Sequence, residues 1–239
     1  MYFKRIDIIG VCDFGDLRKL KEFKNLIKYI DINKVKIQYN GFNVNHILNA
    51  VTQIKTFKNK ENIIVASGRL NDPLKGMDIL FEALNKINLK NWKVYLIGSD
   101  GDYLKKLHND FINSKPELKD QIINIGFLND RDKYFSLLNQ SKIYVLPSRI
   151  DGMPHVIPEA MALGNVVVGS SHHGVRVATE DGEIGRLHEI GNSEKLSEIL
   201  SELMNNDILL EELSIASFNK AHNEFEWGKI VENVFKDYL

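Results

Sequence analysis

The sequence lacks the features expected of a secreted or membrane-spanning protein. It contains one cysteine, Cys12, so an internal disulfide is excluded and a reducing compartment is expected. Lys4, Arg5 and Asp7 interrupt the N-terminal segment where a signal peptide needs an apolar run. No later stretch approaches the roughly 18 apolar residues of a membrane span. We therefore expect a cytoplasmic, unprocessed chain.

The sequence also lacks an excess of charge of either sign. The 31 Lys and Arg residues face 32 Asp and Glu residues, and this balance gives no reason to expect nucleic acid as a partner. The charges are nevertheless segregated, with 12 basic and 5 acidic residues in 1–60 and 5 basic and 14 acidic residues in 179–239. The length of 239 residues predicts one large domain, or one domain plus a fragment, and leaves hardly enough chain for two complete α/β domains.

From about residue 62 onward, short apolar runs alternate with stretches of helical periodicity. Strands are predicted at 62–67, 94–97, 122–125, 143–146 and 166–168. The first is followed by apolar residues at helical spacing: Met77, Leu80, Phe81, Leu84 and Ile87. Continuously apolar strands between amphipathic helices are typical of a parallel sheet covered on both faces. The predicted fold class is therefore α/β, a doubly wound, Rossmann-like parallel sheet.

Residues 1–45 predict a separate, incomplete β-α-β segment, followed by the main domain at 46–239. Its strands are expected near 6–11 and 35–39, with an apolar helical stripe between them: Leu17, Leu20, Phe23, Ile27 and Ile30. Two strands and one helix cannot close a core, so the stripe needs cover. It is interpreted as the end of an N-terminal domain, as a docking face for another chain, or as a membrane-surface helix, and we favour the first.

Two carboxylates stand eight positions apart after the fourth of these strands. Asp151 lies in a loop with Gly and Pro, and Glu159 lies just inside a helix expected to start near Val156, with Pro158 in its first turn. The unpaired amides of a first helical turn favour an anion, and carboxylates accept hydrogen bonds from sugar hydroxyls. The pattern therefore suits a phosphate beside a sugar.

Two cations follow the first of these strands. Arg69 leaves the strand end and Lys75 precedes the next helix, so both can project over the same edge of the sheet. Arg would bind a diphosphate as a planar fork and Lys as a point charge. The alternative is that Lys75 is an ordinary surface residue and that Arg69 pairs with Asp72 or Asp78.

These residues belong to five motifs that follow one another in order: Ser67-Gly68-Arg69 with Lys75-Gly76-Met77-Asp78, Ile97-Gly98-Ser99-Asp100-Gly101, Ile125-Gly126-Phe127, Leu146-Pro147-Ser148, and Asp151-Gly152 through Glu159-Ala160-Met161-Ala162-Leu163-Gly164. Over roughly residues 35–235 the chain resembles the C-terminal, donor-nucleotide-binding half of family 4 glycosyltransferases. These are retaining, metal-independent enzymes of the GT-B type. The family usually has Glu where this chain has Asp151, one methylene shorter.

The resemblance implies a role for each matching residue. Arg69 and Lys75 would bind the donor diphosphate, Glu159 the nucleotide ribose, and Asp151 the donor sugar, and these four form the expected catalytic set. The expected donor-binding set adds Gly68, Gly126, Phe127, Gly152, Met153 and Pro154. No metal or cofactor is expected, because the two cations would stabilise the leaving diphosphate.

The function implied is the transfer of a sugar from a UDP- or GDP-sugar to a glycan or lipid-linked acceptor, with this chain supplying the donor-binding half. The acceptor domain would lie in a missing N-terminal region or in a partner chain, and peripheral membrane contact is left open. The alternatives are a non-catalytic nucleotide-sugar-binding subunit of a split transferase and a GT-B-fold nucleotide-sugar epimerase.

Other polar residues suggest different chemistry. Asp100-Gly101-Asp102 imitates the Asp-x-Asp metal motif of GT-A enzymes, which makes a metal-dependent transferase the last alternative. Scattered histidines, namely His155, His172 and His173, are expected to be structural or solvated. Cys12 has no recognisable base partner nearby in the sequence.

Overall fold

A computed structural model describes residues 9–11 and 35–235 of the chain. Strand β1 (Ile9–Val11) pairs in parallel with β2 (Val35–Ile37), and both coincide with parts of the two strands predicted for the N-terminal segment. The predicted apolar stripe and Cys12 lie outside the described residues. The division into 1–45 and 46–239 stays a prediction.

The main sheet consists of six parallel strands: β3 (Ile63–Gly68), β4 (Lys93–Gly98), β5 (Ile122–Gly126), β6 (Ile143–Leu146), β7 (Val166–Ser170) and β8 (Arg186–His188). Their spatial order is β5-β4-β3-β6-β7-β8. The five predicted strands are β3 to β7. Strand β8 was not predicted, because an edge strand of three residues with an Arg and a His carries no apolar run.

Nine α-helices connect and cover the strands of the described part: α1 (Val44–Ala50), α2 (Met77–Asn85), α3 (Asp102–Ser114), α4 (Arg131–Gln140), α5 (Val156–Ala162), α6 (His173–Ala178), α7 (Ser193–Asn205), α8 (Asp207–Lys220) and α9 (Trp227–Phe235). A π-helical turn, Ala221–Phe225, joins α8 to α9. Short 3-10 turns lie at Phe57–Asn59, Pro73–Lys75, Pro116–Leu118 and Glu180–Gly182. In residues 35–235, none of these helices has the length and apolar character needed to cross a bilayer.

The alternation of side chains along β3 explains why its sequence is apolar throughout. Ile64 and Ala66 pack into one core with α2, α3 and α7, whereas Ile63 and Val65 pack into a second core with α4 and α5. All four side chains are completely buried, because helices cover both faces of the sheet. The predicted doubly wound α/β fold is confirmed.

The chain turns back towards the start of the main domain near its C-terminus. The backbone of Phe42 bonds to Phe225 and Trp227 at 2.9 and 3.1 Å, and the ring of Phe42 is buried. The ring centroid of Tyr39 lies 6.3 Å from that of Phe225 in an edge-on arrangement. The aromatic residues near the C-terminus therefore anchor the segment that leads into α1.

Strand order reverses between β3 and β6. The chain proceeds from β3 outward to β4 and β5, and then returns to place β6 on the other side of β3. At such a reversal the loops that follow the two strands diverge, leaving a crevice at their carboxyl ends where ligands bind. Arg69 and Lys75 follow β3, and Asp151 follows β6, so the predicted site residues flank this crevice.

Candidate functional site

An ion pair joins the start of α2, which follows β3, to the loop after β6. The guanidinium of Arg149 donates to both carboxylate oxygens of Asp78, at 2.7 and 2.5 Å, and to the carbonyl of Pro73 at 2.9 Å. The hydrogen bond from Arg149 holds the pKa of Asp78 below its ordinary value. Asp78 therefore pairs with Arg149, and this contact fixes the 3-10 turn that carries Lys75.

Lys75 and Asp151 form the central ion pair of the crevice. The Lys75 Nζ lies 2.6 Å from the Asp151 Oδ2, and the two side chains are 15% and 13% exposed. The hydroxyl of Ser148 donates to the same carboxylate oxygen at 3.1 Å, and His172 Nε2 lies 2.8 Å from the Ser148 carbonyl oxygen. Two residues 76 positions apart, both predicted as site residues, thus hold each other in place.

Gly76 is required where the Lys75 turn meets the loop after β6. Its φ is +67°, and a Cβ built there would lie 2.1 Å from the Pro147 carbonyl oxygen. Any side chain would push the turn away from the loop and carry Lys75 with it.

Arg69 reaches into solvent directly after the end of β3. Its side chain is 78% exposed, and its nearest carboxylate is that of Asp72, at 3.9 Å. A guanidinium that is barely restrained by the protein remains available to an incoming anion. Arg69 also borders a cavity of about 280 Å³, which is lined by Ser67, Gly68, Arg69, Ile97, Gly98, Ser99, Phe127, Leu128, Arg131, Tyr134 and Val156.

Phe127 lines the same cavity, and Gly126 precedes it as the last residue of β5. The ring of Phe127 is 69% exposed, which is unusual for a side chain of this size. Gly126 has a φ of +76°, a conformation that glycine adopts without strain, and this turns the chain at the end of β5. The sequence predicted both residues for the site.

Glu159 lies on α5, which begins at Val156 as predicted. One carboxylate oxygen, Oε1, accepts a hydrogen bond from the Arg131 guanidinium. The other, Oε2, is buried and has no hydrogen-bond partner among the described residues. Burial raises the pKa of Glu159, and the charge of Arg131 opposes this rise. A buried carboxylate oxygen without a donor is costly, so the site is suited to a ligand that supplies one.

Arg131 is the site residue that sequence reasoning missed. It is the first residue of α4, and its Cζ lies 4.8 and 4.6 Å from the ring centroids of Tyr134 and Phe135. One sequence signal was available. A cation in the first turn of a helix is disfavoured by the helix dipole, so Arg131 suggests another purpose for its charge.

The loop of Gly152, Met153 and Pro154 follows Asp151 and leads towards α5. Met153 is 4% exposed, and its carbonyl accepts a hydrogen bond from the side chain of Asn40. A Cβ at Gly174 would lie 2.4 Å from the Gly152 carbonyl oxygen, so the start of α6 packs directly on this loop. The loop is thus supported from two sides, with the Met153 side chain in the core.

Comparison with known proteins identifies the family. Residues 49–220 match the family model of the glycosyl transferases group 1. The chain belongs to this family. It is 26% identical over 204 residues to a phosphatidyl-myo-inositol mannosyltransferase of Mycobacterium leprae, covering 83% of this chain and 52% of that protein. It is 33% identical over 168 residues to an uncharacterized glycosyltransferase of Methanocaldococcus jannaschii, covering 70% and 45%. The chain therefore spans about half the length of these relatives.

The fold of this group 1 chain matches that of GT-B glycosyltransferase structures. A crystal structure of Anabaena Alr3699/HepE in complex with UDP has a TM-score of 0.76 and 21% identity, covering 97% of this chain and 63% of that one. The predicted family resemblance and Rossmann-like fold are confirmed.

Asp100 and Asp102, which suggested metal chemistry, lie at the start of α3. Asp100 pairs with Lys105 at 3.3 Å and accepts a hydrogen bond from Asn124 at 3.2 Å. Asp102 is the first residue of α3. Among the described residues, no three His, Cys, Asp or Glu side chains are grouped as metal ligands.

Proposed function

We propose that this chain is the donor-binding half of a glycosyltransferase that transfers a sugar from a UDP- or GDP-sugar to a glycan or lipid-linked acceptor. The observation that supports this most directly is the set of charged residues at the ends of neighbouring strands. Lys75 pairs with Asp151, and the cavity of about 280 Å³ is lined by Arg69 and by Arg131, which binds Glu159. The relatives named above are a mannosyltransferase and an uncharacterized glycosyltransferase, and the Anabaena structure holds UDP.

In this proposal the two cations bind the donor diphosphate. Arg69 is free to turn towards a phosphate, whereas Lys75 is already fixed at the crevice by Asp151. As the glycosidic bond breaks, negative charge grows on the leaving diphosphate, and both cations stabilise it more strongly than in the ground state. We propose a transfer without a metal because these two cations carry the charge that a divalent ion would otherwise supply. That the transfer is retaining is proposed on the family resemblance alone.

The carboxylates bind the sugars on either side of the diphosphate. Asp151 accepts a hydrogen bond from a hydroxyl of the transferred sugar once the diphosphate competes for Lys75. Glu159 Oε2 accepts a hydrogen bond from a ribose hydroxyl. Phe127, with Gly126 before it, is assigned to the base and Gly68 to the phosphates, since Phe127 and Gly68 line the cavity. The loop 152–154 is assigned to the phosphates and the sugar because it directly follows Asp151 in the chain. Acceptor recognition is assigned to a region outside the donor site, in an N-terminal domain or a partner chain, and the cytoplasmic location stays a prediction.

Calorimetric titration with UDP and GDP tests the site. We expect one of them to bind wild type, and Lys75→Ala and Glu159→Ala to weaken that binding. Lys195→Ala is the matched control, because Lys195 makes a surface pair with Glu198 on α7, away from the crevice. Failure of wild type to bind either diphosphate, or unchanged affinity in both site variants, would contradict the proposal.

Product analysis then separates transfer from epimerisation. The donor nucleotide sugar is incubated with the chain alone, and the sugar is examined for a change of configuration. We expect none, whereas an epimerised nucleotide sugar formed without acceptor would establish the alternative activity.

A further inference from the structure

Arg131 stands between two cavities. Its side chain is 54% exposed and borders the cavity of about 280 Å³ described above. On its other side lies a cavity of about 300 Å³, lined by His46, Asn49, Arg131, Asp132 and Phe135. A ligand in the cavity of about 280 Å³ would therefore contact Arg131, a residue to which sequence analysis assigned no role.

Several contacts hold the Arg131 guanidinium in one place. Asp130 caps α4 by accepting hydrogen bonds from the amides of Asp132 and Lys133, which fixes the backbone at Arg131. The rings of Tyr134 and Phe135 support the guanidinium, and one of its nitrogens donates to Glu159 Oε1. A planar guanidinium can stack on rings and bind a carboxylate at the same time, which an ammonium group does poorly.

Arg131 is also the cation in direct contact with the buried Glu159. The other titratable groups that face this carboxylate are Tyr134 from α4, Tyr144 from β6 and His155, which precedes α5. Burial raises the pKa of both tyrosines, so they remain neutral and place no charge beside Glu159. His155 is exposed and therefore screened by solvent. Ionisation of Glu159 thus depends chiefly on Arg131.

We propose that Arg131 is a positioning residue for the nucleotide, which keeps Glu159 as a carboxylate, occupies its Oε1, and leaves Oε2 as the acceptor for one ribose hydroxyl. This inference rests on the proposed function, since it needs a nucleotide in the crevice. It adds an expectation about specificity, namely that Glu159 Oε2 accepts a stronger hydrogen bond from one ribose hydroxyl than from the other.

The pH dependence of nucleotide binding tests the role of the charge. UDP, or GDP if that is the diphosphate bound, is titrated by calorimetry between pH 5 and pH 8 into wild type, Arg131→Gln and Arg131→Lys. Removing Arg131 raises the pKa of Glu159 further, so we expect Arg131→Gln to bind about tenfold more weakly at neutral pH and to lose still more affinity as the pH falls. Arg131→Lys keeps the charge and should retain the wild-type pH profile.

The control is Lys133→Gln, two positions along the same helix. Lys133 is 73% exposed and 3.8 Å from Asp130, so its loss should leave both affinity and pH profile unchanged. Protonation of the diphosphate itself affects all variants equally, so it cancels when the affinity of each variant is divided by that of wild type at the same pH. A wild-type pH profile in Arg131→Gln would overturn the inference.

Deoxy nucleotides test the role of Glu159 Oε2 as the acceptor of a hydrogen bond from a ribose hydroxyl. Wild type is titrated with the 2′-deoxy and 3′-deoxy forms of the bound diphosphate, and we expect one of them to bind about tenfold more weakly and the other to bind nearly as well as the parent. Equal losses for both would refute the arrangement. If Lys75→Ala weakens binding while Arg131→Gln does not, only the inference fails. If wild type binds no nucleoside diphosphate, the proposed function fails with it.

Discussion

The ion pair of Lys75 and Asp151 predicts that substitutions at its two residues change UDP affinity in opposite directions. Because the Lys75 Nζ is 2.6 Å from Asp151 and both side chains are mostly buried, an incoming phosphate must compete with Asp151 for the same ammonium group. Lys75→Ala removes a phosphate ligand and also leaves the Asp151 carboxylate unopposed beside the diphosphate. A hydrogen bond to a charged group contributes about 1.5–3 kcal/mol, so UDP affinity should fall by about 10- to 150-fold.

Asp151→Asn should have the reverse effect on the diphosphate alone. The amide has nearly the same shape but no charge, so Lys75 loses its competitor and UDP should bind as tightly as in wild type or up to about tenfold tighter. The full UDP-sugar should gain less than UDP does, because Asp151 is assigned to a sugar hydroxyl. In the double variant the penalty of Lys75→Ala should shrink, since the unopposed carboxylate is gone.

The assay is calorimetric titration of UDP and of the UDP-sugar into the wild type, the two single variants and the double variant, with GDP ligands if GDP is the diphosphate bound. Comparable thermal unfolding of the four proteins establishes that the fold is intact. The reasoning is refuted if Asp151→Asn weakens UDP binding as strongly as Lys75→Ala, because Asp151 would then act by orienting Lys75 and not by competing with the phosphate.

Two further predictions concern the stability of the fold. Gly76→Ala should lower the free energy of unfolding, measured with urea, by at least about 1–2 kcal/mol, because alanine disfavours the left-handed conformation. It should also weaken UDP binding, because the new Cβ displaces the turn from Pro147. Unchanged stability and affinity would contradict the close contact. Burial of Lys60 lowers its pKa from 10.5 to about 7. Between these two pH values Lys60 is therefore protonated in the unfolded chain and largely deprotonated in the folded one, so the unfolded chain binds more protons. The free energy of unfolding should therefore rise with pH in that range, by at most about 1.4 kcal/mol per pH unit, and Lys60→Met should flatten this rise in urea titrations.

Local sequence was sufficient for most secondary structure. Strands β3 to β7 are short apolar runs because both of their faces are buried, and that requirement is visible in the residues themselves. The start of α5 at Val156 was predictable because Pro158 is tolerated in a first helical turn. The edge strand β8 escaped prediction because an edge strand needs no continuous apolar run.

The members of the candidate site were partly visible in the same way, as polar residues after buried strands. Arg69, Lys75, Asp151 and Glu159 were identified by their types and positions relative to the predicted elements. Their partners were not. Glu159 is bound by Arg131, and Asp78 is bound by Arg149 rather than by Arg69.

The sequence by itself therefore determined the alternating strands and helices, the family and the set of polar residues at the strand ends, because each depends on neighbouring residues along the chain. Only the tertiary structure decided which charges meet. Lys75 reaches Asp151 across 76 positions because β6 lies next to β3, and strand order depends on how the whole chain packs. The burial that leaves one oxygen of Glu159 without a donor likewise arises only when α4 and α5 pack together, so the strongest indication of a ligand belongs to the fold.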